Sequence, residues 1–431
     1  MKNYKKIYAA FILAGGLILH GCNGIFDDLS INPNQPSMGA YFTSPSAVND
    51  AVMTMYGYMS TQRCLGASGS KTTIIRSDEA SSNSDYGKPG MFGADLNASY
   101  YTIEQPYTLM YTTASQASYI IETAPSVDFS GNEELRNAYM GEAYFWRAFA
   151  HYYLLINFRN ISPIRQMPRN GDDYVRPLEK PAAVWNFIQE DLAHAKELLP
   201  VKGYWDSKNA GRVTKASAAA LLGKAYLYRS GIEQYYGEDK TTFYSEAAKE
   251  FGDVIDGKYG TYDLTKNYAD NFDVAHENNE ESILEFQFLG DVDNAGFNPG
   301  LATSGLAFDS RGLMLPGAGV GYEGVVHNWL YNAFVNSIDK DGYTDIRMFS
   351  TMIFNDLDAS IHLRNDAGGN PVRLEGPGGY KWEELYPAKN GKEGFATVSN
   401  PLAHSFKAGI RKRILQEKLN RIVHALGCQT E

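Results

Sequence analysis

Two consecutive pairs of amphipathic helices between residues 133 and 256 constrain this chain more than any other feature. Residues 133–157 (EELRNAYMGEAYFWRAFAHYYLLIN) set Leu135, Tyr139, Ala143, Trp146, Phe149 and Tyr153 on one broad stripe at helical period. Residues 183–199 carry a second helix that ends at Pro200. Thr214 is an N-cap for a third, KASAAALLGKAYLYR, and residues 243–256 make a fourth, stopped by Gly257. Gly141 and Gly223 remove side chains where helices must approach closely, while tyrosine and phenylalanine fill the remaining gap.

The spacing of these positions is that of tetratricopeptide-like hairpins. In the second pair Leu222, Gly223 and Tyr226 are followed by Ala247, Phe251 and Val254. In the first, Gly141 and Tyr144 are followed by Leu192, Ala195 and Pro200 across a longer insertion. Further helices are expected over 45–62, 104–124 and 325–338, and strands over 282–288 and 352–354. Long glycine- and asparagine-rich loops are expected at 66–101, 290–325 and 355–400. The fold class is therefore mainly α, with helical hairpins, long loops and a few short strands.

The chain starts with a basic segment (Lys2, Lys5, Lys6), an apolar run from Ile7 to Leu19, and then Leu19-His20-Gly21-Cys22. That run is too short to span a bilayer and reads as an export signal. A cysteine directly after a small residue at the cleavage point is a bacterial lipobox. Cys22 is thus the expected lipidation site and first mature residue. Residues 1–21 are the signal peptide and 22–44 a lipidated start and tether. A single domain is expected over 45–400, with the hairpins at about 133–256 and a loop-rich ligand side at about 66–101 and 290–400.

Loss of the three signal lysines takes the net charge from −11 to −14, which repels polyphosphate and speaks against nucleic-acid binding. With Cys22 acylated, only Cys64 and Cys428 remain, so no disulfide framework holds the exported chain. Gly319–Gly324 matches G-x-G-x-x-G but follows SRGLMLPGAG rather than a buried strand, which excludes a dinucleotide site. In His276-Glu277-Asn278-Asn279-Glu280 a glutamate stands where a zincin needs its second histidine. Glu142, Asp172 and Asp173 isolate no carboxylate pair for glycoside hydrolysis. No catalytic residue, metal ligand or cofactor is assigned, and the chain reads as non-enzymatic.

Aromatic residues on loops remain. Thirty Tyr, 21 Phe and five Trp offer flat apolar faces that suit sugar stacking as well as helix packing. The ligand-binding candidates are Tyr86, Phe92, Tyr100 and Tyr101 beside Arg76, Asp78 and Asn97, with Trp329 and Tyr331 on the later helix.

Several runs together resemble the SusD/RagB family: the lipobox, EAYFWRAFAHYYLLINF, GRVTKASAAALLGKAYLYRSG, AAKEFGDVIDGKYGTYDL, Glu281–Phe288, and the element of Asp341, Gly342, Asp345 and Arg347. The resemblance covers about residues 17–355. It implies a SusD-like α-helical fold in an outer-membrane lipoprotein facing the cell exterior. Such a protein caps a SusC-like TonB-dependent transporter and passes oligosaccharides to it. The alternatives are a peptide-binding member of the same family, a helical scaffold that binds no ligand, and a hydrolase, the last disfavoured by the lack of a catalytic constellation. The family's tyrosine-aspartate-rich and closing segments are missing. In their place, residues 401–431 form a basic tail with Lys407, Arg411, Lys412, Arg413, Lys418 and Arg421 against Glu417, expected from a truncated or frame-shifted gene product.

Overall fold

A computed structural model of the chain describes residues 42–61, 63–65, 77–78, 80–81, 98, 100–167, 175–237, 239–272, 276–287, 325–345, 347–353, 362 and 404–405. The signal peptide, Cys22, the tether up to residue 41, the G-x-G-x-x-G run, the loop at 290–324 and all but two residues of the basic tail lie outside these.

Six helices form an ordered array: α1 Pro45–Ser60, α2 Tyr101–Thr123, α3 Glu133–Phe158, α4 Pro181–Leu198, α5 Lys215–Tyr236 and α6 Tyr244–Ile255. Each packs mainly on its neighbour in sequence, α2 on α3, α3 on α4, α4 on α5 and α5 on α6, while α1 lies against α2 and α3. Such nearest-neighbour stacking is how solenoid repeats bury faces that no single hairpin can cover. Local sequence sets the helix ends. Ser44 accepts from Ala47 N at the start of α1, Asn132 accepts from Leu135 N at the start of α3, and Pro181 opens α4. Thr214 caps α5, its N–H donating to Ser217 Oγ, and Gly237 closes that helix in the left-handed conformation.

The core centres on Trp146 of α3, fully buried among Tyr56 of α1, Phe145, Phe149 and Phe286, with ring centres 5.0–5.7 Å away. Phe286 belongs to the stretch expected as a strand over 282–288. Residues 282–287 instead form no ladder. They run as an irregular strap across the array, tied by Ser217 Oγ donating to the Ile283 carbonyl. Leu284 and Phe286 are buried, as alternation requires, but so is Glu285 between them, which accepts from Asn278 N and Ser282 Oγ. A segment buried on successive residues is not a two-faced strand.

Buried ion pairs lock the array between helices. Arg147 of α3 and Asp191 of α4 form two hydrogen bonds of 2.7 and 2.8 Å. Arg212 binds Glu142 of α3 at 2.9 Å and Asn49 of α1 at 2.8 Å. Glu233 of α5 takes both guanidinium nitrogens of Arg159, at 2.6 and 2.7 Å, and the indole N–H of Trp185 on α4 at 2.8 Å.

The glycine reading is physical. A Cβ on Gly141 would stand 2.9 Å from Leu199 Cγ and 3.0 Å from the Leu199 backbone nitrogen, and one on Gly223 would stand 2.8 Å from the Phe251 ring. At Gly141 the obstacle includes main chain, which cannot swing aside. Gly141→Val is expected to lower stability by about 3 kcal/mol, the upper range for overpacking, and a urea titration checks it.

Beyond the array, β1 Ala80–Ser81, β2 Val325–Val326, β3 Met352–Ile353 and β4 His404–Ser405 form a small antiparallel sheet in the order β1-β2-β4-β3. Helices α7 Asn328–Asn336 and α8 Met348–Thr351 flank it. The element of Asp341, Gly342, Asp345 and Arg347 closes a tight turn after α7. There Asp339 accepts from the N–H groups of Asp341 and Tyr343, and Asp345 holds Arg347 through both carboxylate oxygens.

Candidate ligand-binding surface

Register between β1 and β2 brings the two loop regions of interest together. Ala80 pairs with Val326 and Ser81 with Val325, so the chain just before β1 meets the chain just after β2. Asp78 and Trp329 are the result. The indole Nε1–H of Trp329 donates to the Asp78 carbonyl across 251 positions of sequence. This bond fixes the ring through its one polar atom, while the residue stays 48% exposed. An indole held at its edge in a half-exposed residue is a preorganised platform, since stacking on it orders no further torsions. Asp78 is itself exposed.

Tyr331 departs from the expectation. It is 4% exposed and presents no ring face to a solvent-borne ligand. The reason is helical geometry: two residues along α7 rotate about 200°, so Trp329 and Tyr331 point to opposite sides. Tyr100 is half-buried at the N-cap of α2, and the backbone of Tyr101 opens that helix. Arg76, Tyr86, Phe92 and Asn97 lie outside the described residues. Of the nine candidates, then, the structure brings Asp78 and Trp329 together.

The perturbed titrations belong to the scaffold and not to this surface. Burial pushes the Glu142 carboxyl up to about 7, with Arg212 pulling against it, and burial likewise raises Asp191 against the hydrogen bonds of Arg147. Burial also lowers His151 to about 3. All three groups are enclosed among packed helices, without the cleft that would make a shifted group a catalytic candidate. No helix among the described residues is long and apolar enough to cross a membrane.

Comparison with known proteins agrees with this architecture. Residues 28–227 match the profile of a SusD-like family described as starch-binding and associating with the outer membrane. A SusD-like protein of Bacteroides ovatus is 25% identical over 293 residues, which are 67% of this chain and 51% of the relative. The chain thus spans about half the length of that curated relative. A solved SusD-superfamily protein from Bacteroides vulgatus superposes with a TM-score of 0.57 at 21% identity, covering 74% of this chain and 63% of that one. A laminarin-binding SusD-like protein superposes at 0.54 with 20% identity, covering 69% and 65%. The shared helical fold and the matched span from the tether into α5 lead to one finding: over residues 28–227 the chain is similar to the SusD-like family, and its helical fold is that of SusD-superfamily structures.

Proposed function

We propose that this protein is a non-catalytic, cell-surface glycan-binding lipoprotein. It is anchored in the outer membrane through acylated Cys22 and delivers oligosaccharides to a SusC-like TonB-dependent transporter. The observation that carries the glycan reading is the Trp329 indole, 48% exposed and pinned by its Nε1–H to the carbonyl of an exposed aspartate, Asp78. A pyranose ring has an apolar C–H face that stacks on such a platform and hydroxyls that donate to such a carboxylate. The description of the family as starch-binding, and the laminarin binding of a structural relative, support the same ligand class. The lipobox and the family's outer-membrane association support the location.

Affinity electrophoresis of the full chain in detergent, through gels cast with laminarin or soluble starch, tests the reading. Retardation by one of these glycans is expected. Trp329→Ala should weaken binding at least tenfold, a loss of about 1.4 kcal/mol or more, without moving the melting temperature. Unretarded migration of the wild type in both gels would remove the glycan reading. Retention of a peptide mixture instead would favour the peptide-binding alternative.

A further inference from the structure

A second aromatic surface lies in the helical array, on residues that the surface around Trp329 does not use. The end of α3, the start of α4, the last turns of α5 and the first residue of α6 enclose a cleft of about 630 Å³. That volume lies within the range of small-ligand pockets. Its floor is Trp185, whose indole N–H is committed to Glu233. Glu233 is fully buried and neutralised by the two-pronged contact from Arg159. The Arg159 guanidinium lies 4.2 Å from the ring centre of Tyr236, bracing that ring from one side.

Around this closed, charge-cancelled floor stand three tyrosines that packing does not require. Tyr235 is 84% exposed, Tyr236 58% and Tyr244 47%, and the first two meet edge to face at 5.2 Å. Large aromatic faces clustered in water around a concave floor mark a binding surface rather than chance exposure. The chemistry selects the ligand. The floor's cation and anion cancel each other, so a charged ligand gains nothing there. Flat rings call for a flat apolar face, and phenol hydroxyls call for a partner rich in hydroxyl groups. A neutral hexose ring meets all three conditions.

We propose that this cleft is a second subsite for a neutral glucan, separate from the Trp329 surface. The proposal rests on the glycan-binding reading and adds a site to it. Hydrogen–deuterium exchange on the full chain in detergent, with laminarihexaose and maltohexaose as separate probes, tests both at once. With at least one probe, peptides covering 231–244 should gain protection. Trp329→Ala should keep that protection, and Tyr235→Ala or Tyr244→Ala should weaken it tenfold or more in probe concentration. Tyr235 is so exposed that its loss should leave the melting temperature unchanged, which separates binding from folding. Protection confined to 77–81 and 325–336 would overturn the subsite and leave the glycan reading standing. No protection by either probe in either region would overturn both. Protection of 231–244 that survives both tyrosine substitutions would also overturn the subsite.

Discussion

Asp191→Ala is expected to lower the stability of the protein by about 3–5 kcal/mol, the loss that follows when one partner of a buried ion pair is removed. Asp191 is 2% exposed and Arg147 5%, so neither group can recover its hydration when the other is deleted. The guanidinium has no alternative to the carboxylate. Its Nη1 already serves Ser118 Oγ of α2 and the Arg165 carbonyl, and its Nε and Nη2 both depend on Asp191. One side chain thus holds α2, α3, α4 and the segment after α3 in register. With a typical domain stable by only 5–15 kcal/mol, this single change removes a large fraction of the total. Urea titration should show a lowered midpoint. Arg147→Met combined with Asp191→Leu should recover much of the loss, because an apolar pair of similar volume carries no stranded charge. A double variant as unstable as Asp191→Ala would show that the shape of the network, and not the unpaired charge, sets the cost.

Much of this scaffold could be read from the chain, because its determinants are local. The stripe through Trp146 and Phe149, the cap at Thr214, and the stops at Pro200 and Gly257 all act within a few residues. The small residues at 141 and 223 announced close approach, and Leu199 and Phe251 are what approach. Partnerships across the fold were not legible. Nothing in the sequence pairs Arg147 with Asp191, 44 positions away, or Trp329 with Asp78. The strand reading of 282–288 failed because Glu285 looked like an outward polar residue and is in fact a buried acceptor. Tyr331 is a candidate by residue type alone, and the register of α7 that buries it while leaving Trp329 exposed is set by distant packing. Tyr235 and Tyr236 do not stand out by composition among 30 tyrosines. The available signal was their position beside Gly237, where α5 ends and no further stripe remains to bury them.

His151 should make the fold sensitive to acid. It is fully buried on α3 and held neutral by two opposite bonds: Nδ1–H donates to the Arg147 carbonyl at 2.8 Å, and Nε2 accepts from Ile164 N at 2.9 Å. Burial lowers it from 6.5 to about 3, and the charges of Arg147, Arg165 and Arg176 push the same way. An unfolded chain therefore binds a proton here between pH 6.5 and 3 that the folded chain refuses. The stabilisation is complete above pH 6.5 and falls by about 1.4 kcal/mol for each unit below it. Glu142 acts in the opposite sense, since its raised carboxyl makes the folded state the stronger proton binder between about 7 and 4.5. The wild-type curve alone therefore mixes the two, and the contribution of His151 must be read as a difference. Against His151→Gln, which cannot titrate, the wild type should lose about 2 kcal/mol of relative stability between pH 6.5 and 4.5, measured by urea unfolding at each pH. Parallel curves for the two proteins would mean that the imidazole takes up its proton inside the fold. In that case the Ile164 N–H would have to find another acceptor.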